Sequence, residues 1–185
     1  MTRCTLRLPI LLLLSCLALS CVPPKETRLL QEPGDTVEVY FSPKGGAEAA
    51  IVRAVEKAES DIRVLAYSYT SAPINDALVA AHRRGVQVTV ILDKSQLTAK
   101  GSKLTILQQA GVPVFVDAKH AIAHNKVMIL DKKRLITGSF NFTLAAEERN
   151  AENLLILDNP SLSEKYLQDF ERHLGHAHPS AKGAI

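Results

Sequence analysis

The sequence has no tryptophan, an aromatic share of 5%, and three cysteines, Cys4, Cys16 and Cys21, all within its first 21 positions. Beyond Cys21 no disulfide can form, so the fold there must stand on its core. Without tryptophan, and with no amphipathic stretch presenting an exposed apolar face, the chain has little with which to dock on acyl chains. Charge of one sign is missing too. Lys and Arg number 22 against 19 Asp and Glu; without residues 1–20, which hold Arg3 and Arg7 and no acid, the balance is 20 to 19. That excludes a polycation. A polyanionic partner would need a locally basic site, with an affinity that falls with salt. Tandem repeats and low-complexity segments are also absent. What remains is 185 residues with an apolar share of 46%, which suits one globular domain with short extras.

The longest apolar run, Leu8 to Leu19, is too short to span a bilayer comfortably, which takes about 20 residues. With Arg3 and Arg7 ahead of it and Ala18-Leu19-Ser20 at its end, residues 1–20 are laid out as a secretory signal. Two outcomes fit: plain cleavage after Ser20, or lipidation of Cys21, which precedes Val22-Pro23-Pro24 and resembles the modified cysteine of a bacterial lipoprotein. Either reading makes the protein exported, periplasmic or secreted, and lipidation would tether it to a membrane. Pro23, Pro24, Pro33 and Gly34 mark residues 21–35 as a linker. The domain is expected over 36–174, and residues 175–185 as a flexible tail.

Within the domain, Val37 to Phe41 alternates as a strand, and Ala50, Ile51, Ala54, Val55 and Ala58 predict a helix over 47–59. Lys44-Gly45-Gly46 reads as the turn entering that helix; two glycines are too weak a signal to argue for a phosphate cradle. Strands at 62–69, 86–93 and 112–117 alternate with helices at 72–84 and 101–110. Leu154 to Leu157 is a further buried strand, and Ser161 to Leu174 a closing helix. The pattern predicts an α/β fold with a mixed, largely parallel β-sheet flanked by helices.

The chemistry gathers at His124-Asn125-Lys126 and Gly138-Ser139-Phe140-Asn141. Two apart in an extended segment, His124 and Lys126 point to one side while Val127 and Ile129 face the other. Ser139 and Asn141 repeat the spacing on the next apolar segment, with Asp131-Lys132-Lys133-Arg134 as the hairpin turn between. A neutral imidazole can attack phosphorus while a cation and neutral donors hold the oxygens that gain charge. His124 is thus the candidate nucleophile, and Lys126, Ser139 and Asn141 the candidate phosphate-binding groups. One histidine cannot be neutral nucleophile and protonated acid at once. A second copy of the site is needed, and the sequence contains only one.

His-x-Lys, four residues, Asp, six residues, Gly-Ser-x-Asn resembles the signature of the phospholipase D superfamily. Most members carry it twice. A single copy resembles the small exported bacterial endonucleases of that superfamily, which build one active site across a two-fold dimer. The likeness runs from Val37 through the closing helix and includes Phe41-Ser42-Pro43, Tyr67 to Ser71, Arg84-Gly85-Val86 and Glu147 to Asn153. It implies that His124 of one subunit forms a phosphohistidine while the second His124 donates the proton. It also implies that Glu152 orients the histidine, that no cofactor is used, and that the partners are a nucleic-acid substrate, DNA or RNA, and a second copy of the chain.

Asp131, five residues past Lys126, is out of phase with His124 and Lys126 on a straight strand, which argues for a supporting role. His120 and His124 are four apart, a spacing that binds zinc on a helix; the segment is strand-like and no cysteine follows Cys21, so no metal is expected. His82, Arg83 and Arg84, and the cluster at 132–134, read as solvated charge. His173, His176 and His178 fall at a fraying end. Two rival functions remain: a phospholipase or phosphatidyl transferase with the same chemistry on lipid, and a module that binds nucleic acid without turnover.

Overall fold

A computed structural model describes residues 34–180. The leader, Cys21 and most of the linker lie outside the described residues. Eight strands form one sheet in the order β1-β7-β6-β5-β2-β3-β4-β8: β1 (Thr36–Ser42), β2 (Asp61–Ala66), β3 (Gln87–Asp93), β4 (Val114–Asp117), β5 (Lys126–Leu130), β6 (Arg134–Gly138), β7 (Glu152–Asp158) and β8 (His178–Pro179). The helices are α1 (Ala47–Glu56), α2 (Ala72–Arg83), α3 (Leu104–Gln109), α4 (Leu144–Glu148) and α5 (Pro160–Leu174).

The expected mixed α/β architecture is present, but the sheet is mostly antiparallel. Only β2 with β3 and β3 with β4 pair in parallel. The β1–β7, β2–β5, β4–β8, β5–β6 and β6–β7 pairs are antiparallel. The reason is that crossover helices join only β2, β3 and β4. After β4 the chain returns beside β2 and builds the other half from a hairpin and its neighbours, which need no crossover.

Both faces of the sheet are covered. Ile51, Val55, Ile74, Leu78 and Leu107 of α1, α2 and α3 pack on one face with Val64, Met128 and Ile136. Phe170 of α5 packs on the other with Leu65, Ile91, Val127, Ile129 and Leu135. All five residues of β5 are therefore buried, and the strand reads as an unbroken apolar run after Lys126.

Element ends depart from expectation where side chains cap them. Helix α1 stops at Glu56, and the Arg84 guanidinium donates to the carbonyls of Val55, Glu56 and Ala58; this exposed arginine also caps the helix. The other end of α1 is closed by Glu147, whose carboxylate accepts from the backbone N–H groups of Gly46 and Glu48 at 3.0 and 2.9 Å. The anion at that helix start is thus a side chain of the protein itself. The helix expected at 101–110 begins only at Leu104. Gly101 has φ +82°, and a 3₁₀ turn capped by Asp93 occupies Lys94–Leu97. Arg134 holds Asp158 through two bonds of 2.6 and 2.8 Å.

The stretch after Gly175, expected to fray, is seated as far as Ser180. His178 and Pro179 pair with Val116 and Phe115, and Gln108 Nε2 donates to the Ser180 carbonyl at 2.9 Å.

Candidate active site

The site residues arrive from three neighbouring strands. Lys126 opens β5, Gly138 closes β6 with Ser139 and Asn141 just beyond it, and Glu152 opens β7. In the β5–β6 ladder Val127 lies opposite Thr137, and in the β6–β7 ladder Gly138 lies opposite Leu154. These registers bring the three strand ends to the same edge of the sheet. His124 precedes β5 and is exposed; Lys126 is 7% exposed. The Lys126 ammonium donates to the His124 carbonyl oxygen at 2.9 Å.

Sequence reasoning did not assign a role to Tyr67, which organises both groups. Its backbone N–H donates to Asn125 O at 2.9 Å, its ring meets the His124 imidazole edge-on at 4.6 Å between centroids, and Lys126 Nζ lies 5.3 Å from its centroid. The ring limits the imidazole's rotation and gives the cation a second favourable contact. Burial lowers the Lys126 pKa below the ordinary lysine value, and the charge of Glu152 works in the opposite direction.

Asn153 was missed as well. Its backbone N–H and side-chain amide donate to Ser139 Oγ at 3.0 and 3.3 Å, and its carbonyl accepts from the N–H groups of Ser139 and Phe140 at 3.1 and 3.3 Å. A hydroxyl oxygen that accepts two bonds has its lone pairs engaged, so the Ser139 proton is left to donate. The signal was cross-strand and invisible along the chain. Gly138 permits the approach: at φ +152°, a Cβ there would lie 2.3 Å from the Asn153 carbonyl oxygen. The Asn141 side-chain oxygen is buried and has no hydrogen-bond partner among the described residues.

Two residues stand apart. Asp131 lies at the far end of β5 with φ +51°, and its carboxylate accepts from the N–H groups of Glu59, Ser60 and Asp61 and from the Ser60 hydroxyl. Burial works to raise its pKa, but those bonds outweigh it and hold the carboxyl below its usual range. Glu152 accepts from Asn150 Nδ2 at 3.1 Å, and its backbone N–H donates to Ser42 Oγ at 3.2 Å. Among the described residues it makes no hydrogen bond to His124.

A histidine at an exposed position, a buried cation beside it, and a serine and an asparagine just beyond the adjoining strand lie at one end of the sheet. The family model described as "Cardiolipin synthase, PLD-like domain" matches residues 51–174. The chain belongs to the phospholipase D superfamily. The chain is a phosphodiester hydrolase of that superfamily, and it carries the motif once.

Relatives within the phospholipase D superfamily agree in extent. A protein named phospholipase D from Rickettsia conorii is 45% identical over 154 residues, covering 83% of this chain and 77% of its own length. A mitochondrial cardiolipin hydrolase from Canis lupus familiaris is 33% identical over 154 residues, which span 78% of this chain and 59% of that protein. Among solved structures, the phospholipase D family member Nuc from Salmonella typhimurium superposes with a TM-score of 0.76 at 36% identity, covering 79% of this chain and 98% of that one.

Proposed function

We propose that this phosphodiesterase is an endonuclease of low sequence specificity that cuts DNA or RNA through a phosphohistidine at His124 and works as a homodimer with one shared active site. The observation that carries the reading is that the site holds one imidazole. His120, His173 and His176 are bonded to Asp117, His82 lies on α2 with its Nδ1 buried, and His178 lies on β8, beyond β4 at the far side of the sheet. A second proton carrier has to come from another copy of the chain.

An imidazole nitrogen of His124 bonds to phosphorus as the bond to the leaving oxygen breaks, and that oxygen takes its proton from the partner subunit's His124. Water, deprotonated by the same partner imidazole, next attacks phosphorus and breaks the N–P bond. Lys126, Ser139 and Asn141 supply the positive charge and the donors that the non-bridging oxygens require, so the chemistry needs no metal or other cofactor.

The surface supports a dimer. Val37, Val39 and Phe41 project from one side of β1 at 60%, 51% and 67% exposure. Phe41 pairs with Asn153 and Ser42 with Glu152, so this apolar stripe ends at the catalytic edge. Nucleic acid as substrate is supported by the single motif, which resembles that of the small exported endonucleases, and by a likeness that covers 98% of Nuc. The leader supports an exported, periplasmic or secreted protein, with Cys21 as the lipid anchor if it is modified; mass spectrometry of the mature N-terminus distinguishes that from cleavage after Ser20.

A lipid reading is favoured by the names of the Rickettsia and mitochondrial relatives. The purified protein assayed side by side on DNA, RNA, phosphatidylcholine and cardiolipin separates the two, and turnover on lipid alone would overturn the nuclease reading. His124→Ala should lose roughly 10³-fold or more of the activity, and acid-quenched substrate should leave a phosphoryl group on His124. Nucleic-acid binding without cleavage, unchanged by His124→Ala, would instead indicate a binding module.

A further inference from the structure

Asp117 closes β4 and is fully buried. Three imidazoles converge on its Oδ2: His120 Nδ1 at 2.8 Å, His173 Nδ1 at 2.7 Å and His176 Nε2 at 3.2 Å. They come from the loop after β4, the last turn of α5 and the turn beyond it. An oxygen with two lone pairs is poorly matched to three N–H donors at once. The same four residues each offer one donor atom, all within 4.8 Å of one another, which matches a metal's ligand shell in both number and kind. His120 therefore belongs with Asp117 and the end of α5, not with His124 as its spacing along the chain suggested.

The distances fit an ion at the centre. Around a tetrahedral zinc with ligands at about 2.0–2.1 Å, neighbouring donor atoms lie about 3.3 Å apart. Three of the separations here are already 2.7, 2.8 and 3.2 Å. One outer-shell bond is in place as well. Asp117 Oδ1 accepts from the backbone N–H of Lys119 at 3.0 Å, which orients the carboxylate, and the other ring nitrogen of His173, Nε2, lies 3.9 Å from Asp169 Oδ2. At that distance Asp169 is an electrostatic neighbour of the imidazole and not its hydrogen-bond partner. The His120 side chain is 44% exposed, which leaves an entry path.

We propose that Asp117, His120, His173 and His176 bind one divalent first-row transition ion, zinc foremost, and that this ion staples the C-terminal end of α5 to the loop leading into His124. Three imidazoles and a carboxylate suit zinc by ligand type. Four protein ligands leave no open position, so the ion is structural and supplies no water to the reaction. The site is separate from the phosphodiesterase chemistry. Its sequence signal is Asp117-Ala118-Lys119-His120 together with His173-Leu174-Gly175-His176, two three-residue intervals that only the fold brings together.

The test uses the protein purified without a histidine tag, stripped with chelator and titrated with zinc chloride by calorimetry, with metal content measured after gel filtration. One zinc per chain is expected in the parent and in His124→Ala, which separates this site from the catalytic one. His173→Ala, Asp117→Asn and His120→Gln should each bind at least roughly tenfold more weakly. Zinc at about a hundredfold its Kd should raise the parent Tm by roughly 5–10 °C and leave the variants unmoved. Because His120 is the most exposed ligand, His120→Gln carries the test even if His173→Ala does not fold. A parent that takes up no stoichiometric zinc, or a His120→Gln variant that binds as the parent does, overturns the proposal and leaves a hydrogen-bonded histidine cluster.

Discussion

The Lys126 ammonium donates to the backbone carbonyl of His124 at 2.9 Å, which ties the buried cation to the residue proposed as the nucleophile. Lys126→Met keeps much of the packing and removes the charge, and should lower kcat/KM by roughly 10²–10³-fold with little loss of folding. Lys126→Arg should fare little better, because a planar fork cannot occupy the place of a compact ammonium. Burial holds this lysine below its ordinary value, and the charged form is the one lost as pH rises. Parent activity should therefore fall on the alkaline side before an exposed lysine, with a pKa of about 10.4, would titrate. A pH–rate profile checks it.

Gly138→Ala should be destabilising and nearly inactive. The added Cβ would meet the Asn153 carbonyl oxygen at 2.3 Å, and that carbonyl also receives the N–H groups of Ser139 and Phe140. A cost of about 2–3 kcal/mol is expected in urea unfolding, with a fall in kcat because Ser139 moves.

Acid should unfold the protein partly through Asp131 and Asp158. For Asp131, burial raises the pKa and is outweighed by bonds from Ser60, Glu59 and Asp61; for Asp158, the Arg134 bond leads in lowering it. Both carboxyls are depressed, so their stabilisation is complete above the unfolded value of about 3.9 and is lost as pH falls through the folded values. Asp131→Asn should cost about 1–2 kcal/mol at neutral pH and flatten the acid limb of a Tm-versus-pH curve.

Phe41→Glu combined with Val39→Lys should leave the fold intact, since both side chains are already in solvent. If β1 is the dimer edge, sedimentation will show monomers and activity will fall with the loss of association. An active monomer would remove the basis for a shared site.

The β5–β6 hairpin was legible because both arms alternate or run apolar and a polar turn separates them. The direction of the strands was less so. Alternating helices and strands announce parallel pairs only where a helix crosses over, and here that ends at β4. Tyr67 and Asn153 were hidden for a related reason: each acts on a residue of another strand, so no interval along the chain marks it. Arg84 looked like surface charge, and Glu147 drew no role, because the helix ends they cap lie 28 and about 100 positions away. The turn after α5 looked frayed because its partners, Asp117 and Phe115, belong to a strand far earlier in the sequence.

The β5–β6 register makes the spacing of the motif a ruler. Val127 faces Thr137 and Leu130 faces Arg134, with only Asp131, Lys132 and Lys133 to turn the chain. One residue inserted into either arm would rotate every later side chain to the opposite face of the sheet. The twelve residues between Lys126 and Ser139 are therefore a length measured in hydrogen bonds. A relative with one residue more or fewer must carry a bulge, or it has lost the site.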